Sequence, residues 1–271
     1  MMKITKKISE LKDIILTLKN SNKKIGLVPT MGNIHEGHLS LISKAKKNDD
    51  YVITTIFVNP TQFNNKDDYL TYPNTFEEDV FKLKSQNCNL LFMPSTKDLY
   101  PKGLFKENTV KKYRNILCDL YRPKHFDGVT TIVNILFDII KPDNAYFGEK
   151  DYQQLKIIQE LVKIKKFKTK IIQCPSIRDK FGMSLSSRNS KLNYSQKLIF
   201  QDVAKKIQNL KFLLKENRDE TLLNNFTEEL VALNINKVDY IEIRSEDDLE
   251  IAKDYVKARI FIALYIDDIR V

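Results

Sequence analysis

The segment Ile25-Gly26-Leu27-Val28-Pro29-Thr30-Met31-Gly32-Asn33-Ile34-His35-Glu36-Gly37-His38-Leu39-Ser40-Leu41-Ile42 passes from an apolar run, through a turn bearing glycine, into amphipathic spacing. That order predicts a strand, a turn and a helix start. The chain has three histidines, and two of them stand three positions apart in this turn. On a helix such positions share a face. The first N–H groups of a helix have no partner within it and attract anions. Two imidazoles flanked by Gly32 and Gly37 therefore suit a polyphosphate. A structural histidine pair and a two-ligand metal site are the competing readings.

Outward from this segment the alternation repeats. Strands are predicted over 25–29, 51–58, 90–93, 145–147 and 170–174. Helices are predicted over 8–19, 37–47, 75–86, 129–140 and 151–165. Continuous β-branched runs separated by helices indicate a parallel sheet covered on both faces. The fold class is thus α/β, a doubly wound, Rossmann-like parallel sheet whose ligands bind at the carboxyl ends of the strands. All eight prolines lie between Pro29 and Pro175, and Gly182 is the last glycine. This shift in composition places a boundary near residue 175. It divides the chain into a domain over 1–175 and a smaller C-terminal α+β lid domain over 176–271. The tail reads as helices over about 195–215 and 219–233 and strands over 238–244 and 259–266 in a small antiparallel sheet.

With 271 residues, 42% of them hydrophobic, the chain can form one large domain or two modest ones. No run of 18 apolar residues is present, so no membrane span is expected. The charged N-terminus lacks a signal-peptide core, and a cytoplasmic protein is expected. Cys88, Cys118 and Cys174 are widely spaced and contain no C-x-x-C pair, which argues against a disulfide framework or a zinc ribbon. The net charge of +10 fits nucleic-acid binding, attraction of an anionic substrate, or a solvated lysine-rich surface. The lysines do not interleave with aromatics as a stacking groove requires, so no nucleic-acid partner is expected.

Four further segments fall at predicted strand ends or helix starts. Asn59-Pro60-Thr61-Gln62-Phe63 follows the second strand and offers amides that both donate and accept. Arg122-Pro123-Lys124-His125-Phe126-Asp127-Gly128 carries the third histidine ahead of an apolar helix; alone it is a weak signal. In Phe147-Gly148-Glu149-Lys150-Asp151-Tyr152-Gln153-Gln154, Lys150 can neutralise phosphate and Gln154 lies one turn on. Leu185-Ser186-Ser187-Arg188-Asn189 sets two hydroxyls beside a guanidinium, a good set of phosphate donors.

An H-x-x-H at a first strand–helix turn with a later Ser-Ser-Arg loop resembles the nucleotidyltransferase superfamily, whose H-x-G-H and K-M-S-K-S signatures grip ATP. The five segments together, in their order and spacing, resemble the pantothenate synthetase (pantoate–β-alanine ligase) family across essentially the whole chain. The resemblance implies ATP-dependent condensation of pantoate with β-alanine. Pantoate's carboxylate attacks the α-phosphorus, pyrophosphate leaves, and the β-alanine amine then attacks the pantoyl adenylate to give pantothenate and AMP. No covalent enzyme intermediate and no tightly bound organic cofactor are implied. The resemblance also implies a homodimer.

Carried onto this chain, the resemblance makes His35, His38, Lys150, Ser186, Ser187 and Arg188 catalytic, with His38 at the family's general-acid position. It assigns Met31, Gly32, Asn33, Ile34, Glu36, Gly37, Gly148, Glu149, Asp151, Ile177 and Leu185 to the ATP site. Gln62 and Gln154 would bind pantoate and β-alanine. Magnesium would bridge the phosphates, with Glu78 and Asp79 as candidate ligands because carboxylates suit that hard cation; a plain helix surface is the alternative for both. Two positions depart from the family's pattern: Lys124 stands where a glycine is expected, and Asn74 where an arginine commonly follows Tyr72-Pro73. Another H-x-G-H nucleotidyltransferase of cofactor biosynthesis would share the histidine segment but would not require both Gln62 and Gln154.

Overall fold

In a computed structural model, residues 2–216, 221–235, 237–253, 255 and 257–271 are described. The chain forms two compact units. Met1–Arg114 and Arg122–Ile177 make the first, while Asn115–Tyr121 and Arg178–Val271 make the second. Relative to a single cut near 175, the short stretch Asn115–Tyr121 thus groups with the tail.

The first unit is built on six parallel strands flanked by helices. The strands are β1 (Lys3–Thr5), β2 (Ile25–Thr30), β3 (Tyr51–Ile56), β4 (Leu90–Phe92), β5 (Asn144–Gly148) and β6 (Lys170–Cys174), in the order β1-β4-β3-β2-β5-β6. Strand β2 is buried almost end to end, as expected of a strand covered on both faces. Strand β1 is absent from the sequence reading. Its three residues Lys3-Ile4-Thr5 are too short and too polar to give a signal, and it forms by pairing with β4 in register Ile4↔Leu91. Helices α1 (Ile8–Asn20) and α2 (Glu36–Asn48) alternate with the early strands. The short α3 (Lys66–Leu70) leads to α4 (Phe76–Ser85), and a four-residue α5 (Thr96–Leu99) follows β4.

The sheet order places β2 and β5 side by side. From β2 the chain moves outward to β3 and β4, and from β5 it moves the other way to β6. The carboxyl ends of β2 and β5 therefore flank the switch point, where ligands of such sheets bind. Those ends are Thr30 and Gly148. A buried network holds the opposite end of this pair. Asp49, just after α2, accepts from Tyr146 Oη at 2.5 Å and Asn144 Nδ2 at 2.6 Å. A side chain at Gly26 would run into the Asp49 carboxylate. Burial and this contact keep the Tyr146 phenol protonated far beyond its usual range.

Helix α7 (His125–Ile140) starts four residues earlier than its apolar periodicity implies. Its N-terminal neighbour Lys124 is left-handed, with φ 62°, a conformation that favours glycine. The expectation of glycine at this position has a geometric basis, and the lysine adopts the backbone regardless. Gly128 lies where α7 meets the single 3₁₀ turn Pro60–Gln62 after β3. A Cβ there would collide with the carbonyl of Thr61 and lie 2.8 Å from the Gln62 Cα.

The second unit holds α6 (Cys118–Tyr121), α9 (Tyr194–Glu216) and α10 (Thr221–Ala232) with an antiparallel sheet in the order β7 (Val238–Ser245), β8 (Ala258–Ile266), β9 (Ile269–Arg270). The first two positions of the helix expected over 219–233 fall outside the described residues. Val203, Leu210, Phe226, Leu230, Ile243, Leu264 and Ile266 form its core. Strand β9 is only two residues long and left no periodicity to read. Among the described residues no helix is long and apolar enough to cross a membrane.

Replacing Gly128 with alanine should destabilise the protein by about 1–3 kcal/mol, the usual cost of forcing an extra carbon into packed structure. Chemical denaturation measures this. A midpoint equal to wild type would mean that α7 and the 3₁₀ turn are not in rigid contact.

Candidate active site

The turn after β2 is held from outside by α4. Gly32 takes φ +84° and Asn33 takes φ 51°, so the loop reverses sharply before α2. The Asp79 carboxylate is buried and accepts from the backbone N–H of Asn33 at 2.9 Å and of Ile34 at 2.7 Å. Lys82, one turn along α4, donates to the Ile34 carbonyl at 2.8 Å. A second tie comes from Thr30, whose hydroxyl accepts from Gly32 N–H at 3.1 Å while donating to Thr55 O at 2.7 Å. Both oxygens of Asp79 are therefore occupied by the loop. Glu78 is exposed and faces Lys82 at 3.7 Å. In this arrangement Asp79 organises the loop, while Glu78 lies on the exposed face of α4. Among the described residues no group of three or more His, Cys, Asp or Glu side chains is placed to hold a metal.

His35 is the N-cap of α2, and the two histidines cap it reciprocally. His35 Nδ1 accepts from Gly37 N–H at 3.2 Å, and His38 Nδ1 accepts from His35 N–H at 3.4 Å. Their ring centroids are 4.0 Å apart. A neutral imidazole that accepts at Nδ1 carries its proton at Nε2, so each ring is left with one outward donor. Burial, then the positive charges of Lys150 and Lys82, pushes the His35 pKa down to about 4. Burial, then His35, pushes His38 down to about 3. Both rings are neutral donors at neutral pH. The lysine field that disfavours their protonation also attracts an anion.

Gln62 ends the 3₁₀ turn after β3. Asn59, the cap of that turn, is buried and hydrogen-bonded throughout. Its Oδ1 accepts from Tyr100 Oη at 2.8 Å and Thr61 Oγ1 at 3.0 Å. Its Nδ2 donates to Gly128 O and to Gln62 Oε1, each at 3.1 Å. That last bond sets the Gln62 amide with its oxygen toward Asn59. Among the described residues the Gln62 NH₂ then meets only the Met31 sulfur, at 3.1 Å, a weak acceptor that an oxygen anion would outcompete. Gln62 is thus oriented as a donor.

At the end of β5, Gly148 has extended backbone, and a Cβ there would meet nothing within 4 Å. Lys150 sits on the following 3₁₀ turn (Glu149–Asp151) rather than on α8 (Tyr152–Lys165). Its amine lies 3.6 Å from Asp151, and its charge is felt at both histidines. The two glutamines that follow differ. Gln153 is buried and donates to Tyr113 O at 2.9 Å, whereas Gln154 is half-buried on the first turn of α8. Ile34 is fully buried in the core, Glu149 accepts from Gln173 at 2.8 Å, and Glu36 is exposed. Ile177 is half-buried after β6.

Ser186, Ser187 and Arg188 belong to the second unit. Ser186 caps the 3₁₀ helix Ser187–Lys191 by accepting from Arg188 N–H at 3.2 Å. Asn189 donates to Ser184 O at 3.0 Å, and Leu185 and the three residues after it are half-buried. Lys82, the loop-holding role of Asp79 and the role of Asn59 in orienting Gln62 escaped the sequence reading. Asn59 and Asp79 were singled out there for other roles, whereas Lys82 left no signal.

The family model described as pantoate-beta-alanine ligase matches residues 3–271. The chain belongs to the pantoate-beta-alanine ligase family. It is 41% identical to the pantothenate synthetase of Thermoanaerobacter sp. (strain X514) over 97% of this chain and 93% of that one. With the pantothenate synthetase of Acetivibrio thermocellus it shares 39% identity over 97% of this chain and 94% of the other. A solved pantoate-beta-alanine ligase from Francisella tularensis, complexed with beta-gamma ATP and beta-alanine, is 40% identical with a TM-score of 0.86, covering 100% of this chain and 96% of that one. The pantothenate synthetase structure from Thermus thermophilus superposes with a TM-score of 0.92 at 30% identity, covering 100% of this chain and 97% of that one.

The depressed histidine pKa values predict a simple titration. Between pH 8 and 5 the imidazole proton resonances of His35 and His38 should stay at their neutral positions. A midpoint near 6.5 for either would remove the burial argument. Unfolded histidines take up protons below about pH 6.5, before the folded pair does. Each ring therefore costs stability as pH falls from there toward 4, the pKa to which His35 is pushed.

For Asp79, substitution by asparagine turns one acceptor into a donor facing a backbone N–H. The KM for ATP should rise by roughly ten-fold, the scale of an unsatisfied buried group. The magnesium concentration giving half-maximal rate should not change. The opposite pattern, a shifted magnesium requirement at constant KM, would favour the metal-ligand reading instead.

Proposed function

We infer that this protein catalyses the ATP-dependent condensation of pantoate with β-alanine through a pantoyl adenylate, releasing AMP and pyrophosphate. The observation that carries this reading is the pairing at one switch point of two Nε2–H donors on His35 and His38 with a donor-oriented Gln62. Family membership supports it, as does the relative solved with beta-gamma ATP and beta-alanine.

The chemistry follows from the donors. His35 and His38 hydrogen-bond phosphate oxygens as neutral rings, and Lys150 adds a positive charge where charge develops on the transferring phosphoryl group. Ser186, Ser187 and Arg188, with two hydroxyls and a guanidinium in sequence, are the further phosphate donors of this reading. Adenosine lies along Met31, Gly148, Asp151 and Ile177. The open space above Gly148 suits a ring that a side chain would displace. Gln62 and Gln154 hold pantoate so that its carboxylate reaches the α-phosphorus, a gain in proximity and orientation.

In the free protein His38 is a poor acid at neutral pH, because its ring is neutral and the remaining Nε2–H, though a hydrogen-bond donor, is too weakly acidic to transfer. Several negative charges beside it would raise its pKa, so proton donation belongs to the ATP-bound form. A divalent cation would arrive on the triphosphate itself, since Asp79 is engaged by the loop. A homodimer and a cytoplasmic location complete the reading.

With purified protein, AMP should form in multiple turnovers only when ATP, pantoate and β-alanine are all present. Omitting β-alanine should limit pyrophosphate release to about one equivalent per site, the signature of a stalled adenylate. Pyrophosphate release indifferent to pantoate would overturn the assignment.

A further inference from the structure

The third histidine is not part of the phosphate site, yet it is buried and hydrogen-bonded at both ring nitrogens. His125 opens α7 and is 5% exposed. Its Nδ1 lies 2.7 Å from the backbone carbonyl of Gln62, and its Nε2 lies 3.2 Å from the guanidinium of Arg122. A guanidinium has donors only, so Nε2 of His125 must accept. The neutral ring then carries its proton at Nδ1 and donates it to Gln62 O. Arg122 also reaches that carbonyl directly, at 3.4 Å. The tautomer is opposite to that of His35 and His38, whose Nδ1 atoms accept.

Gln62 is therefore gripped at two points. Arg122 and His125 hold its backbone, and Asn59 holds its side-chain oxygen. Gly128 lets α7 approach closely enough for the first grip, since any side chain there would strike the Thr61 carbonyl. Met31, from the phosphate loop, receives the remaining amide. A glutamine near solvent normally samples several rotamers, and freezing one costs up to about 2 kcal/mol of side-chain entropy. Here that cost is met within the fold, before any substrate binds.

We propose that Arg122 and His125 are positioning residues for substrate recognition, acting as an Arg122→His125→Gln62 relay that presents the Gln62 amide N–H groups to an oxygen of the acid substrate. The relay rests on the reading that Gln62 binds pantoate. It predicts that the acid substrate, not ATP, senses His125. It also makes His125 a neutral, tautomer-locked donor and not a proton-transfer group.

The test compares the full-length wild type with His125→Leu, His125→Asn, Gln62→Ala and the His125→Leu/Gln62→Ala double variant, following AMP formation. His125→Leu should raise the KM for pantoate by on the order of ten-fold, the effect of removing the shorter of the two hydrogen bonds to the Gln62 carbonyl and leaving Arg122 without its ring acceptor. The KM for ATP should stay within about two-fold, since an interaction that is not made with ATP cannot change it. Asparagine keeps an N–H near the Nδ1 position and should recover most of the pantoate effect. In the double variant His125→Leu should add little to Gln62→Ala, because the two act as one unit. Nitrogen-15 spectra of the wild type should show His125 protonated at Nδ1 and the other two histidines at Nε2.

Equal rises in both KM values, asparagine no better than leucine in a variant of native unfolding midpoint, additive losses in the double variant, or an Nε2–H tautomer at His125 would each overturn the relay. A wild type that makes no AMP from the three substrates would instead sink the underlying functional reading, and the tautomer measurement would still decide the relay.

Discussion

Strands β2 and β5 pair in the middle of the sheet, and the chain leaves them in opposite directions. No crossover helix can then cover the gap at their carboxyl ends, because each connection departs to its own side. Everything chemical in the first unit is arranged around this gap. The loop after β2 supplies the histidines, the turn after β5 supplies Gly148 and Lys150, and the turn after β3 supplies Gln62. The Asp49–Tyr146–Asn144 network ties α2 to β5 at the far end of the strands. The loop ends and the strand ends are thereby held to one frame.

That frame also explains why so many polar groups near the site serve one another. Backbone at a strand–helix junction has N–H groups that no ladder satisfies. Asp79 takes two of them, His35 a third and His38 a fourth. The histidines thus do two jobs with two nitrogens. Nδ1 completes the helix cap, and Nε2–H remains for a ligand. The capping forces the tautomer, and the tautomer determines what the site can recognise.

The parallel sheet and its principal helices were legible because β-branched runs and helical spacing alternate clearly from Ile25 to Cys174. The histidine turn, Gln62, Lys150 and Gln154 were legible as segments at strand ends. Less legible were elements that form only through partners. Strand β1 has three residues and exists by pairing with β4, and α7 reaches back to His125 through a left-handed Lys124 that no periodicity reveals. The loop-holding role of Asp79 shows the same limit. Composition offers a carboxylate, but only the fold shows that both of its oxygens face backbone N–H groups.

The third histidine sharpens this contrast. Its segment, weak when taken alone, gains meaning from what α7 packs against. His125, Arg122 and Gly128 are 60 or more positions from Gln62 in sequence, and they meet it because α7 crosses the 3₁₀ turn after β3. Rigid support of this kind matters more for a glutamine than for a lysine. A lysine attracts phosphate by charge over several ångströms, whereas a neutral amide acts only at hydrogen-bond distance and angle. On the proposed reading, the ATP side of the site would rely on the field of its cations, while the acid side would depend on the hydrogen bonds that hold Gln62 in place.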